Sequence, residues 1–254
     1  MAYKRSDASK EPDRYSKFYF MNENAFMNWS GGKDSALCLY KALQLKQYNI
    51  QCLLTNVNAS HNRISMHGVR RSLLEAQAAS IGIRLQTIEL PEQPTMQEYE
   101  EMMTNKLHEL KSSGCNKAIF GDIFLGDLKN YREQKLKQLD IDCIFPLWEI
   151  DTTELIKEFL ALGFKAIVVC VNEKDLDKSF CGRIIDESFI NDLPANVDVC
   201  GENGEFHSFV FDGPVFKQPI KFSKGEIVYK LYDAPKQNDA STKYGFYFCD
   251  LLPA

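Results

Sequence analysis

Ser30-Gly31-Gly32-Lys33-Asp34-Ser35 joins a short apolar run, residues 25–29, to a helix-like run, residues 36–45. A strand, a glycine turn and a helix start in that order make a phosphate cradle. Turn amides point at the anion, and the helix dipole adds positive potential. Gly31 and Gly32 carry no Cβ, so the backbone can come close to a ligand. Lys33 supplies a point charge, and the hydroxyls of Ser30 and Ser35 supply donors. The hexamer is not a Walker A loop, since Met27 stands where that pattern needs its first glycine. It also lacks the G-x-G-x-x-G spacing of dinucleotide sites. Asp34 would repel a polyphosphate unless it holds the loop's own amides or a cation lies between. Magnesium, which prefers hard oxygen ligands, is the expected cation.

Outward from this turn, strand-like runs at 51–56, 85–89, 117–120, 143–145 and 166–171 alternate with helix-like runs at 33–46, 69–81, 96–113, 130–139 and 152–162. Such alternation predicts an α/β fold, a parallel sheet with helices on both faces. Ligands of such sheets lie at the carboxyl ends of strands, near a reversal of strand order. The hexamer occupies one such end. After about Asn172, Gly, Pro, Asp and Asn become frequent, and strands are predicted at 206–211, 226–231 and 245–251. A smaller α+β domain is therefore expected, with its boundary between Phe145 and Asn172. The expected division is a mobile extension at 1–22, an ATP-binding domain at 23–150 and a substrate domain at 151–254.

The 254 residues are 44% hydrophobic and 26% charged, enough for one large core or two modest ones. A net charge of −5 gives no reason to expect a nucleic-acid partner. No apolar run is long enough for a membrane span, so no membrane partner is expected either. The polar N-terminal segment lacks the apolar core of a secretory signal. The eight cysteines include no C-x-x-C pair, which argues against zinc ribbons and dithiol centres and fits a reducing cytoplasm. Cys181 and Cys200, in glycine-containing loops, are the two candidates for a reactive thiol.

Two further clusters carry chemistry. Gly121-Asp122-Ile123 follows a predicted strand, with Arg132 downstream. Gly121 would admit a ligand close to the backbone. Asp122 can hold magnesium or ribose, and Arg132 can neutralise a phosphate with its planar fork. The other is Asp198-Val199-Cys200-Gly201-Glu202-Asn203-Gly204-Glu205-Phe206-His207-Ser208. Its Asn-Gly pair is a hairpin signal, but a hairpin alone does not call for Asp198, Glu202, Glu205 and His207 together. Like charges held close raise one another's pKa, which suits acid–base work or ammonium binding. His67 and Arg70, at a helix start after the second strand, read equally as phosphate contacts or as loop surface.

The hexamer resembles the PP-loop, SGGxDS, of the ATP pyrophosphatases, which cleave ATP between the α and β phosphates. Together with the GDI cluster and its Arg132, Pro146-Leu147-Trp148, and GENGEFHSFVFDGP from Gly201 to Pro214, it makes the chain resemble the diphthine–ammonia ligase family of that superfamily over residues 25–216. The resemblance implies a HUP-type domain followed by a substrate domain, with ATP and ammonium as substrates. It implies that residues 30–35 bind the pyrophosphate portion of ATP and that Thr55, Asn56 and Val57 contact the base. Gly121, Asp122 and Arg132 complete the nucleotide site, and Asp34 or Asp122 holds magnesium. Diphthine-modifying members amidate a modified histidine of elongation factor 2. They resemble E-G-G-E-F-E-T/S in the last cluster, where this chain has Asn203 for a glycine and His207 for an acidic residue. That variant looks like a bacterial-type branch, and its acceptor is expected to be another carboxylate, such as a corrinoid-related one.

The expected reaction is attack of an acceptor carboxylate, on a small molecule or a modified protein side chain, at the α-phosphorus. Pyrophosphate leaves, and ammonia then displaces AMP from the acyl-adenylate. Lys33 and Asp34 serve the nucleotide, Glu202 and Glu205 bind ammonium or take its proton, and His207 orients the acceptor. Two alternatives are a different PP-loop enzyme, such as a tRNA thiolase or a lysidine-type ligase, and a nucleotide-sensing module without turnover. A homo-oligomer is left open.

Overall fold

The computed structural model describes residues 22–64, 67–233 and 243–254. The expected mobile extension lies outside them, except for Asn22. The polar segment at 236–243 also lies outside, except for Lys243. The first part of the chain runs β1 (Glu23–Asn28), α1 (Lys33–Leu45), β2 (Tyr48–Asn58), β3 (Arg63–Ile64), α2 (Arg71–Ile81), β4 (Leu85–Leu90), α3 (Met96–Ser112), β5 (Lys117–Ile119), α4 (Gly126–Lys137) and β6 (Asp142–Ile144). The second part runs α5 (Thr152–Ala161), β7 (Lys165–Asn172), α6 (Glu187–Asp192), β8 (Phe206–Asp212), β9 (Phe222–Asp233) and β10 (Lys243–Pro253), with a short 3-10 turn at Lys178–Phe180.

β4, β2, β1, β5 and β6 pair in parallel in that spatial order, and β3 adds a short antiparallel pairing to β2. The chain leaves β1 first toward β2 and later returns to its other side as β5. Strand order therefore reverses at β1, where residues 30–35 begin. Successive side chains of a strand point to opposite faces, and the core divides accordingly. Ala25, Met27, Leu53 and Ile119 pack under α1 and α2, whereas Phe26, Cys52, Leu54, Ala118 and Phe120 pack under α3 and α4. This double cover is why the strands read as apolar runs rather than as alternating ones.

Local chemistry sets the helix ends. Asp151 caps α5 by accepting from the amides of Thr153 and Glu154, and Gly163 follows that helix with φ +79°. Thr95 and Glu98 form a reciprocal capping box on α3. α4 starts at Gly126, about a turn before the expected Asn130.

The second sheet is antiparallel, ordered β8-β7-β10-β9. β7, expected from the alternation to be one more parallel strand, lies instead between β8 and β10. Its residues from Ala166 to Val171 are all buried, so its composition matches that of a doubly covered parallel strand. The two sheets share one core, in which Leu37 and Leu39 of α1 join Phe206 and Phe209 of β8.

Gln77 of α2 is the polar tie across this junction. Its side chain is fully buried. Its Oε1 accepts from the Trp29 indole at 3.0 Å, and its Nε2 donates to the carbonyls of Gly31 at 3.0 Å and Val210 at 2.6 Å. Replacing it by leucine strands the Trp29 indole donor, at about 1–3 kcal/mol, and takes one hydrogen bond from each of the two carbonyls, at about 0.5–1.5 kcal/mol apiece. Gln77→Leu is expected to lower the melting temperature by roughly 6 °C or more and to weaken nucleotide binding as well. A melting curve that overlays the wild type would refute this role.

Candidate functional site

Gly31 sits at φ +76°, a conformation that costs glycine little. Its carbonyl accepts the Val210 amide of β8 at 2.9 Å in addition to Gln77. A Cβ here would lie 2.7 Å from Gln77 Oε1 and 2.8 Å from Leu74. The next amides divide their work. Gly32 donates to Ser30 Oγ and Lys33 to Ser208 Oγ, at 3.2 and 3.1 Å. Ser35 Oγ donates back to the Gly32 carbonyl. Gly32 at the N-cap has no side chain to cap α1; Ser208 takes the Lys33 amide, and the amides that follow keep the positive character of a helix start.

Lys33 is buried, and its ammonium contacts both carboxylate oxygens of Asp34, at 2.7 and 2.9 Å. Burial works against its charge, but Asp34 and the acidic groups around it outweigh this and hold its pKa above the ordinary 10.5. Asp34 itself keeps about a third of its side chain exposed.

The GDI cluster comes to the same place from the other side of β1. A Cβ on Gly121 would lie 3.1 Å from the Asp34 carbonyl and 3.3 Å from the Ser35 amide. The glycine thus lets the end of β5 approach the first turn of α1 itself. Asp122 pairs with Arg132, whose guanidinium lies 4.5 Å from the centre of the Phe120 ring. Burial pushes Asp122 above its usual range although Arg132 pulls the other way.

Glu202 connects the clusters. Its Oε1 accepts the Ile123 amide at 2.8 Å. Burial raises its pKa to about 7 against that hydrogen bond, and the negative charges of Asp34 and Asp122 add to the rise. Asp198 shapes the loop below it by accepting from the amides of Cys200 and Glu202 and from the Thr152 hydroxyl. Glu205 is buried, and its Oε1 accepts from the Asp198 amide and the Asn203 side chain, both at 3.0 Å. Its Oε2 is buried with no partner among the described residues.

His67 and His207 stack with ring centres 4.5 Å apart and planes at 28°. His67 covers the loop, because a Cβ on Gly32 would lie 3.2 Å from its ring. Its Nδ1 is 3.3 Å from the Ser208 carbonyl. Burial lowers the His67 pKa to about 4 and that of His207 well below the usual range. Both rings are neutral at pH 7.

Thr55 and Asn56 lie in a gap along one edge of β2. The last pairing with β1 is at Leu54, and the first with β3 is at Val57. The Thr55 hydroxyl donates to the Trp29 carbonyl at 2.5 Å. Arg70, weighed in the sequence as a phosphate contact, instead joins Arg63 on Asp250 of β10. Burial opposes the charge on Asp250, but the two guanidinium groups hold its pKa down at about 2. Cys181 and Cys200 are buried, and burial pushes both thiols up to about 12.

Sequence reasoning missed Gln77, a helix residue with no motif around it, and gave Ser208 no part. It also missed a cavity of about 900 Å³ at the carboxyl ends of β2 and β4. The face of the second sheet closes it with Tyr232, Tyr244, Phe246 and Phe248, and Arg63 and Lys230 add charge. Gly68 lines this cavity, next to the His67 that covers Gly32.

Known proteins resemble this chain along both of its parts. Residues 23–142 match the family description "Diphthamide synthase N-terminal domain", and residues 151–237 match "Diphthamide synthase C-terminal domain". The diphthine–ammonia ligases of Homo sapiens and Bos taurus are 25% and 26% identical over 229 residues, covering 81% of this chain and 85% of each relative. The mouse enzyme is 31% identical over 122 residues, covering 46% of this chain and 44% of its own length. Among solved structures, the U34-tRNA thiolase of Methanococcus maripaludis, determined with its 4Fe-4S cluster, aligns with a TM-score of 0.35 and 21% identity, covering 56% of this chain and 57% of that one. A phosphate loop at the reversal of strand order, backed by a carboxylate-rich second sheet and matched along both parts of the chain, makes this protein a member of the diphthine–ammonia ligase family of PP-loop ATP pyrophosphatases.

Proposed function

We propose that this chain is an ATP-dependent carbon–nitrogen ligase that activates a carboxylate as its acyl-adenylate and amidates it with ammonia. Glu202 carries the reading. A carboxylate with a pKa of about 7 is anchored to the amide after Asp122 and faces the charges of Lys33 and Asp34. A general base works best with a pKa near the working pH, and this one joins the nucleotide side of the site to the loop of the second sheet.

The chain's own residues divide the task. The start of α1 and the Lys33 ammonium neutralise the β and γ phosphates as they leave. Arg132 turns its fork toward the same charge. Thr55, Asn56 and Val57 border the base, and the gap in strand pairing leaves backbone there for it. Ammonium is held by Glu202 and by the unpartnered Oε2 of Glu205, since a buried carboxylate oxygen without a donor is satisfied by a cation. Glu202 then takes its proton. Glu205 also holds the loop in shape through its other oxygen. His207, a neutral ring, orients the acceptor without adding charge.

Asp34 and Asp122 fit magnesium, which takes one or two carboxylates and completes its shell with phosphate oxygens. When bound there it would supply charge neutralisation along the polyphosphate. The acceptor is proposed to be a carboxylate other than diphthine, a corrinoid-related acid among them, because His207 stands where diphthine enzymes resemble an acidic residue. Its body would fit the aromatic cavity behind Gly68. Thiol chemistry has little support, since a persulfide needs an accessible thiolate and Cys181 and Cys200 are buried with pKa values near 12.

The nucleotide product tests the scheme directly, with AMP and pyrophosphate expected. Lys33→Ala and Asp34→Ala should each cut AMP formation by about 10²-fold or more. ADP and phosphate as the products, or unchanged turnover in both variants, would refute it. Glu202 is active as the carboxylate, so the rate should rise with pH through about 7. Glu202→Gln should lose that rise together with about 10²-fold in rate. An identical pH profile in the glutamine variant would take Glu202 out of the reaction. Cys181→Ser and Cys200→Ser should keep full activity.

A further inference from the structure

β9 is the outermost strand of the second sheet. β10 pairs with one of its edges, and no described strand covers the other. It spans 12 residues without a proline, with a bulge at Gly225–Glu226 opposite Asp250 and a regular run from Glu226 onward. Edge strands of soluble proteins are usually short, interrupted or charged, because an open edge invites another strand. This one also exposes large apolar side chains, with Val228 at 39%, Tyr229 at 45%, Leu231 at 53% and Tyr232 at 47%. Glu226 and Lys230 are exposed beside them, and neither has an ion pair among the described residues.

We infer that β9 is the surface through which two copies of this chain associate, antiparallel about a two-fold axis at Val228, joining two four-stranded sheets into one. The charge pattern of the strand supplies the argument. A two-fold axis normal to the sheet keeps each face in place, so only residues separated by an even number of positions oppose one another. With Val228 opposite its own counterpart, Glu226 lies opposite the partner's Lys230, and symmetry repeats the pair. On the other face Tyr229 lies opposite the partner's Ile227. A slide by one step in one direction leaves Glu226 against the partner's Val228 and loses both ion pairs, while Lys224, beyond the bulge, lies on the opposite face. The opposite slide leaves Lys230 against the partner's Val228 and loses both ion pairs. The Val228-centred register alone matches unlike charges while keeping the middle of the strand paired.

Association would also reshape the large cavity. Glu226, Val228, Lys230 and Tyr232 line it, so a second β9 alongside would extend its wall with residues of the other copy. The inference stands on the strand edge and does not depend on the proposed reaction.

Light scattering of the full chain across a concentration series tests it, with a dimer expected. Glu226→Lys and Lys230→Glu each turn two attractive pairs into repulsive ones, so each should weaken the dimer by roughly tenfold or more. The double variant Glu226→Lys with Lys230→Glu should restore it. Both positions are exposed, and unchanged melting temperatures would show that folding is intact. A monomer at every concentration overturns the proposal, including the case in which residues 1–21 cover the edge. Single variants that dimerise like the wild type, or a double variant as weak as the singles, overturn it equally.

Discussion

The carbonyl of Gly31 is the point on which this structure turns. It accepts from the Val210 amide of β8 and from Gln77 of α2, and it can do so only because glycine holds φ at +76° without strain. Those two bonds fasten the back of the phosphate loop to the second sheet. The Lys33 amide then meets the Ser208 hydroxyl two residues along the same strand, and His67 closes over Gly32. The loop is preorganised by the part of the chain that carries the Glu202–Glu205 loop. Displacing one would disturb the other, so the turn and the Glu202–Glu205 loop are held as one unit.

The electrostatics follow from the same packing. A buried ammonium is costly unless paired, and Lys33 is paired with its neighbour Asp34. Asp122 is in turn paired with Arg132. Glu202, like Asp198 and Glu205, accepts hydrogen bonds without a cation among the described residues, and burial lifts its pKa to about 7. The stacked histidines add no positive charge at neutral pH. The positive potential at the loop thus comes from α1, Lys33 and Arg132, balanced by nearby carboxylates.

Several groups that look catalytic in the sequence are also structural. Asp198 is spent on shaping a loop, as is one oxygen of Glu205. Gly121 serves a close approach of β5 to α1. Arg70 and Arg63 are committed to Asp250, which lies far along the chain and joins the two sheets. The short motif around Arg70 contains nothing about that partner.

The first sheet could be read from residue order because its information is local: apolar runs of strand length, amphipathic runs of helix length, and a glycine turn between the first pair. The turn at residues 30–35 was equally readable, since six consecutive residues hold nearly all of it. The partners of that loop were not. Gln77, Ser208 and His67 lie tens to more than a hundred residues away in the chain, and each meets the loop only once the sheets share a core. β7 illustrates the same limit, because burial on both faces gives parallel and antiparallel strands the same composition. Chain order set which elements form and which residues make the glycine turn between the first pair. The folded packing chose which carboxylates are paired and which are buried without a cation, because burial and pairing are properties of neighbours in space.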